Sequence, residues 1–274
     1  MRDPALDLAR VRGMSLEKKL PLLMTSVLLA ILGAGVFFAY RETRRASELV
    51  TAARLRDVAD GLAHATGTSI PRLALQFREV TRDPAVRNAL AARRASPADM
   101  VEIGEALRTL SAASDSGVTT ELWMSDGTVL ARIGDPRAEV QPMSAIVTGP
   151  DSLAVSAFYE SGGRVFYWVT RTVADASGRL GTIAQRRRLN AQAATQREIE
   201  RLTGQKVEVL FRNADNSLWT TLGGRRIGPP SDSGRLRGMQ TYMHEHVTPA
   251  ERVLWYEKAV DRTPWVVVLE LPVS

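Results

Sequence analysis

The sequence contains no cysteine and only three histidines among its 274 residues. Without cysteine, disulfide bonds, cysteine-ligated zinc and thiol catalysis are all excluded. The sequence also lacks the G-x-S-x-G, P-loop and G-x-G-x-x-G patterns that mark common hydrolases and nucleotide-binding enzymes. We therefore predict a protein that is not an enzyme and that uses no cofactor.

The charge balance is basic, with 36 lysines and arginines against 30 acidic residues and a net charge of +6. The excess is scattered along the chain, as on an ordinary solvated surface, rather than collected in a basic tail. The aromatic and basic residues do not alternate as they would on a nucleic-acid-binding platform. We therefore predict no nucleic-acid partner.

One long apolar run, Leu20–Tyr40, carries no charged residue. About 20 apolar residues in a helix match a hydrocarbon core of roughly 30 Å, so we predict a single transmembrane helix. The alternative is a cleaved signal peptide, with Gly33-Ala34-Gly35 as a weak cleavage site. The residues expected at the membrane interface are Lys18, Lys19, Phe37, Phe38, Tyr40 and Arg41.

Small residues at Ser26, Ala30 and Ala34 recur every four positions along this run. Such a row lets a neighbouring membrane helix approach closely, so we predict a packing face there. Lysines and arginines flank the run about equally on both sides, and the charge distribution alone does not set its orientation.

Residues 41–118 are predicted to be helical, with apolar residues from Leu49 to Leu62 at helical spacing. Pro71 is expected to kink or end the first helix. Asp83-Pro84 and Ser96-Pro97 each combine an N-cap residue with a proline at the first helical position, which predicts two shorter helices. In the second of these, Val101, Leu107 and Leu110 are expected in the core.

From residue 119 the apolar residues alternate with period two, which predicts strands separated by turns. One helix, from about Asn190 to Leu202, interrupts the series. The predicted strands are Thr119–Met124, Thr128–Ile133, Ser152–Glu160, Val165–Ala174, Leu180–Arg187, Val207–Arg212, Leu218–Leu222, Gln240–Val247, Arg252–Val260 and Trp265–Leu271. All five tryptophans fall in these strands, where we expect them to fill the cores.

The two strand regions align with each other at one offset of about 87 residues. The aligned pairs are Glu121 with Glu208, Trp168 with Trp255, Arg171 with Lys258, and Val173 with Val260. A shared offset in separate strands indicates two tandem five-stranded units.

The chain resembles the double Cache domains, which are relatives of the PAS fold. The order of its helices and strands matches, and the matching stretches are Leu122–Leu130, Val173–Ile183 and Thr263–Val268. The resemblance covers residues 41–272. It implies an α+β fold in which a transmembrane helix and a helical stalk precede two tandem antiparallel sheets. It also implies a bacterial inner-membrane protein with a cytoplasmic N-terminus and a periplasmic domain from residue 41 to 274.

The domain boundaries follow from the pattern and the resemblance together. They are a basic tail at 1–19, a transmembrane helix at 20–40, a helical stalk at 41–118, a first lobe at 119–189, a linking helix at 190–204 and a second lobe at 205–274.

The chain departs from the amino-acid-binding members of this family, which hold the ligand with an Arg-x-Trp-Tyr cluster that is absent here. The connections at 135–150 and 223–238, which would cover the pockets, are short and rich in proline and glycine. The sequence ends at Ser274 with no output module. We therefore predict an accessory subunit that packs against other membrane-protein subunits, and the alternative is the ligand-sensing input module of a histidine kinase or chemoreceptor.

Three further groups of polar residues are candidates for chemistry. His244 and His246 are a weak metal-binding pair, since no third ligand accompanies them. Asp126, Asp175 and Asp215 lie beside turn residues, and turn formation explains them without a catalytic role. The arginines at 186, 187, 188, 225 and 226 are interpreted as partner-facing surface residues, and Lys18 and Lys19 as contacts to lipid phosphates.

Overall fold

The computed structural model describes residues 16–110, 118–134, 153–176, 178–189, 193–204, 206–228, 244–247 and 252–273. Helices come first and two antiparallel sheets follow, which confirms the predicted α+β class. The chain divides into two units between Ala53 and Arg54.

The first helix, α1, extends from Leu16 to Arg82. In the first unit its described side chains from Leu23 to Ser47 are all exposed, including Leu32 at 57% and Val36 at 70%. Of the described helices, only α1 has the length and apolar composition to cross a membrane, although a signal sequence shares these properties.

In the second unit, α1 buries one stripe of side chains at intervals of three and four residues, as expected for an amphipathic helix. The stripe contains Leu55, Ala59, Ala63, Ile70, Leu73, Phe77 and Val80. Its first three residues belong to the core of the second sheet, and its last four belong to the core of the first sheet.

Pro71 does not end α1, contrary to the expectation that it would end or kink the helix there. Proline in a helix interior costs about 3 kcal/mol. Ile70 and Leu73 are buried on either side of the exposed Pro71, and this tertiary packing outweighs the local cost. Leu49, predicted to begin the apolar stripe, is 69% exposed.

Two shorter helices complete the helical layer, α2 (Pro84–Ala92) and α3 (Pro97–Arg108). The predicted caps are confirmed: the Asp83 side chain accepts hydrogen bonds from the first turn of α2, and Ser96 forms a capping box with Asp99. Val101 is 61% exposed rather than buried, because the buried face of α3 follows Ile103, Leu107 and Leu110 instead.

The first sheet has the strand order β2-β1-β6-β5-β3, and β4 also pairs with β5. The single strand predicted at 152–160 is two short strands, interrupted at Ser156–Phe158. The strands are β1 (Thr119–Met124), β2 (Val129–Gly134), β3 (Leu153–Val155), β4 (Tyr159–Ser161), β5 (Arg164–Asp175) and β6 (Gly178–Arg188).

Helix α4 (Ala193–Thr203) links the first sheet to the second, which has the order β10-β11-β12-β7-β8-β9. In both sheets the first strand lies between the second and the last, so the predicted tandem arrangement is confirmed. Each sheet has six strands rather than the predicted five. The strands are β7 (Glu208–Asn213), β8 (Trp219–Thr221), β9 (Arg226–Ile227), β10 (His244–Val247), β11 (Arg252–Ala259) and β12 (Trp265–Val273).

Candidate ligand site on the first sheet

The two faces of the first sheet differ in chemistry. The face toward α1, α2 and α3, here called the inner face, is apolar and contains Leu122, Val169 and Ile183. Alternate residues along the strands form the opposite, outer face. Strand pairing places Thr119 beside Arg186 and Glu121 beside Ala184 on this outer face. The outer face is buried yet carries charged and aromatic side chains.

Glu121 lies at the centre of the outer face and is only 1% exposed. Its Oε1 pairs with Nη2 of Arg132 at 2.7 Å, and its Oε2 accepts a hydrogen bond of 2.9 Å from Nε1 of Trp123. A buried carboxylate is costly unless it is paired and hydrogen-bonded. Both oxygens of Glu121 are engaged by its neighbours.

Arg186 is 5% exposed and lies opposite both Thr119 and Trp168 in the strand pairing. Its Cζ is 3.8 Å from the centre of the Phe166 ring and 5.9 Å from that of Tyr159. A guanidinium over an aromatic face is held by cation–π attraction. The aromatic residues thus fix a buried positive charge on the outer face.

Tyr159 opens β4 and adds a phenol to the same face, since it lies opposite Phe166. Burial raises the pKa of Tyr159 to about 12, and the nearby charge of Arg186 offsets part of that rise. Charge on Glu121 raises the pKa further. The phenol is therefore neutral at physiological pH and can donate a hydrogen bond.

Among the described residues, three buried donor atoms around this face lack a hydrogen-bond partner: Thr119 Oγ1, Arg186 Nε and Arg188 Nε. The Tyr159 hydroxyl lies with them and interacts with Arg186 and Trp168. Phe166 connects two residues of this group, because β5 and β6 pair it with Arg188 and β4 pairs it with Tyr159. Buried polar groups are nearly always satisfied, so each exception needs an explanation. A cluster of exceptions on one face is the feature expected of a ligand site.

The corresponding face of the second sheet contains a paired arginine instead. Arg212 contacts Glu257 through two hydrogen bonds, of 2.7 Å from Nη2 and 3.3 Å from Nε. Its Nη1 donates to the Asn213 carbonyl at 3.1 Å. Trp219 lies beside the guanidinium, at 5.6 Å from Cζ to the ring centre, and the Trp219 Nε1 is unpartnered. The buried charges of this face are balanced within it.

The segment between β3 and β4 joins the outer face of the first sheet to the second sheet. The Asn213 side chain accepts a 2.7 Å hydrogen bond from the Phe158 amide and donates one of 2.9 Å to the Phe158 carbonyl. The Phe158 ring stacks on Trp265 with centres 4.5 Å apart. Tyr159 of the candidate site directly follows this clamped residue.

The predicted arginine surface divides into buried and exposed members. Arg186 is buried, which corrects its assignment to a partner-facing surface. Its strand alternates faces, and position 186 falls on the covered one. Arg187 and Arg188 are half-buried, whereas Arg225 and Arg226 are exposed, with Arg226 paired to Glu160 at 2.7 Å.

The turn interpretation of the three aspartates is confirmed. Asp126 accepts a hydrogen bond from the Thr128 amide, Asp215 from the Ser217 amide and Asp175 from the Gly178 amide. These bonds lower the pKa of Asp126 and Asp215. Each carboxylate stabilises its own turn.

The other predicted site residues stay predictions. Backbone pairing places His244 opposite Trp255 and His246 opposite Val253 on β10. Ser26, Ala30 and Ala34 lie on α1 at one-turn intervals with exposed side chains. Phe37, Phe38, Tyr40 and Arg41 are exposed on the same helix, and Lys18 and Lys19 lie within its first turn.

The sequence analysis did not identify Glu121, Arg132, Tyr159 or Thr119 as site residues. One signal was present: Thr119, Glu121 and Trp123 alternate on a strand whose other face carries Leu122. A strand with polar or aromatic residues on one face and aliphatic residues on the other is ordinarily half-exposed, and the sequence gives no sign that both faces are covered.

Comparison with solved structures identifies similar folds. The ligand-binding domain of the Pseudomonas fluorescens chemoreceptor CtaA, in complex with L-isoleucine, has a TM-score of 0.50 at 13% identity, covering 84% of this chain and 95% of that one. The fold is Cache-like. No family model matches the sequence, and no curated protein matches it.

Two other solved structures are similar at a lower level. The extracellular domain of the histidine kinase rpHK1S-Z16 has a TM-score of 0.48 at 14% identity, covering 80% of this chain and 92% of that one. The ligand-binding domain of the Campylobacter jejuni chemoreceptor Tlp3, in complex with L-norvaline, has a TM-score of 0.45 at 10% identity, covering 81% and 86%.

Proposed function

We propose that this chain is the ligand-sensing input module of a transmembrane signalling system, and that it binds a small molecule on the outer face of the first sheet. The observation that supports this most directly is the cluster of buried, unpartnered polar atoms around Arg186. The fold adds support, because the chemoreceptor domain that shares it was solved with a bound amino acid.

The sensing role is the alternative given by the sequence, and the comparisons favour it over the accessory-subunit role. They give no specific support to a subunit that packs into a larger complex. The missing Arg-x-Trp-Tyr cluster bears on which ligand is bound. It does not bear on whether a ligand is bound, since the outer face has its own set of polar groups.

In this proposal α1 anchors the protein in the bacterial inner membrane, with the N-terminus in the cytoplasm and residues 41–274 in the periplasm. The exposed apolar side chains of α1, such as Leu28 at 60% and Ile31 at 64%, would contact lipid. Ligand binding would then take place on the periplasmic side, while its response partner would contact the chain in or across the membrane.

The experiment is a thermal-unfolding screen of the full chain in lipid nanodiscs against a library of neutral, cationic, zwitterionic and anionic small molecules. A ligand at about 100 times its Kd is expected to raise the midpoint by on the order of 5–10 °C. The shift should shrink in Tyr159→Phe combined with Thr119→Val, which removes two hydroxyls from the candidate site.

The matched control is Tyr256→Phe, which removes a tyrosine hydroxyl from the core of the second sheet. It should leave the ligand-induced shift unchanged. A library in which no compound raises the midpoint of the wild-type chain would contradict the sensing function. If Tyr256→Phe reduces the ligand-induced shift as much as the double variant does, the ligand does not bind on the outer face of the first sheet.

A further inference from the structure

We propose that the ligand is a small carboxylate anion without an ammonium group, bound by Arg186 together with the hydroxyls of Thr119 and Tyr159. This inference rests on the proposed sensing function and names the class of ligand for the same site. It differs from the ligand of the chemoreceptor domain of similar fold, which is a zwitterionic amino acid.

The unpartnered atoms of the outer face are all able to donate hydrogen bonds. Arg186 Nε and Arg188 Nε can only donate, and the unpartnered Thr119 hydroxyl donates readily to a negative oxygen. The Tyr159 hydroxyl, beside the Arg186 guanidinium, can turn its proton toward the same oxygen. A ligand that satisfies these four atoms must therefore be rich in acceptors. A carboxylate provides two oxygens with about four lone-pair positions and matches the planar guanidinium.

Among the residues that the structure describes, the outer face offers an ammonium group no vacant carboxylate. The carboxylate at the centre of the described face is Glu121, and its two oxygens already contact Arg132 and Trp123 at 2.7 and 2.9 Å. An amino acid bound here would leave its ammonium group without a charged acceptor. A buried cation in that position is strongly unfavourable.

The charges on the outer face also favour an anionic ligand. In the described part of this face, the guanidiniums of Arg132, Arg186 and Arg188 outnumber the one carboxylate, that of Glu121, which leaves a positive excess. On the second sheet the buried charges of the equivalent face balance, because Glu257 pairs with Arg212. Within the described ranges no carboxylate pairs with the buried Arg186, and an anionic ligand would supply one.

The test compares matched probes by thermal shift and calorimetry on the full chain in nanodiscs. The probes are straight-chain mono- and dicarboxylates of two to six carbons, the amide of each and the α-amino acid of each. We expect saturable binding of at least one carboxylate, and its amide and its amino acid should each bind at least about tenfold more weakly. The amide lacks the negative charge of the carboxylate, and the amino acid adds an ammonium group that has no charged partner.

Arg186→Gln should weaken carboxylate binding by about 10- to 100-fold, because it removes a charge-assisted contact. Arg187→Gln is the control, since this neighbour lies on the inner side of the same strand. Tyr159→Phe keeps the buried packing and removes one neutral donor, so it should weaken binding by about 2- to 10-fold even if Arg186→Gln fails to fold.

The outcomes separate the two proposals. Binding of amino acids or amines in preference to the matched carboxylates would overturn the ligand class and leave the sensing function standing. The same holds if Arg186→Gln and Tyr159→Phe both bind carboxylate as tightly as the wild type. Failure of every compound in the broader library to bind would overturn the sensing function as well.

Discussion

The paired arginine of the second sheet shows how a buried charge is stabilised in this protein. The side chains of Arg212 and Glu257 are 8% and 10% exposed, and they meet at 2.7 Å. Removing one partner of such a pair leaves the other charge uncompensated in a poorly solvated place.

Glu257→Gln should therefore lower the free energy of unfolding by about 3–5 kcal/mol. The measurement is denaturant unfolding of the full chain with linear extrapolation. The control is Glu198→Gln, which breaks an ion pair with Arg201 on the exposed side of α4, and this change should leave stability as it is. Equal effects of the two substitutions would contradict the structure.

Tyr159 should titrate apart from ordinary tyrosines, because burial raises its pKa to about 12. The folded state holds the proton more tightly than the unfolded chain, whose tyrosine has a pKa near 10. The resulting stability is present below about pH 10 and is lost as the pH rises toward 12.

The absorbance difference at 295 nm between the wild type and Tyr159→Phe measures this directly. It should titrate with a midpoint about two pH units above that of a free tyrosine. If the absorbance difference titrates near pH 10 instead, the Tyr159 phenol is solvated and does not belong to the proposed site.

Sequence patterns identified most buried apolar residues, and they failed for the buried polar ones. All five tryptophans are buried, as expected. Arg186 was assigned to the surface because arginine is almost never fully buried unless it is paired. Strand periodicity places positions 186 and 188 on one face, but only the tertiary structure shows that this face is covered.

At the level of elements, α1 serves both sheets through one continuous stripe. Local propensity at Pro71 predicted a break, whereas the apolar spacing on both sides of it continued. The spacing was the better guide, because burial of several large side chains outweighs the cost of one proline.

Two leucines of α1 test whether the buried stripe stabilises the packing of this helix. Leu73 is 9% exposed and Leu75 is 62% exposed, so they differ in burial on the same helix. Leu73→Ala should lower the free energy of unfolding by about 2–5 kcal/mol, and Leu75→Ala should change it by less than about 0.5 kcal/mol. If denaturant unfolding gives similar losses for both, the assigned stripe is wrong.

The strands were largely predictable because alternation and turn residues mark them independently. The offset of about 87 residues also foretold the shared strand order of the two sheets. The break between β3 and β4 was not predictable. It depends on contacts with residues far along the chain, such as Asn213 with Phe158 and Ser156 with the Trp265 indole.

For the whole molecule, α1 has the length and apolar composition to cross a membrane, and the proposed function puts the sheets on the periplasmic side. The orientation can be tested cleanly because the chain has no cysteine. Single substitutions at Ala5 and at the exposed Ala176, each to cysteine, would provide one reporter on either side of the membrane in the proposed topology.

In intact cells a membrane-impermeant maleimide should label Ala176→Cys and should label Ala5→Cys only after the cells are opened. The cysteine-free parent is the background control. The reverse pattern would invert the topology, and labelling of both sites in intact cells would argue against a helix that spans the membrane.

The clamp of Asn213 on Phe158 has a consequence for how the two sheets respond to each other. Tyr159 contributes to the candidate site, while the residue before it is bonded to the second sheet. Any ligand that displaces Tyr159 must do work against that clamp. Reciprocity then requires that loosening the clamp alters affinity for the ligand by the same free energy.

Asn213→Ala should accordingly change the Kd for a bound ligand although this residue is not part of the outer face of the first sheet. A ligand titration of the variant, compared with Asn216→Ala in the neighbouring turn, measures that coupling. An unchanged Kd would mean that the two sheets behave as independent bodies. A changed Kd would show that the hydrogen bonds between Asn213 and Phe158 couple ligand binding on the first sheet to the conformation of the second.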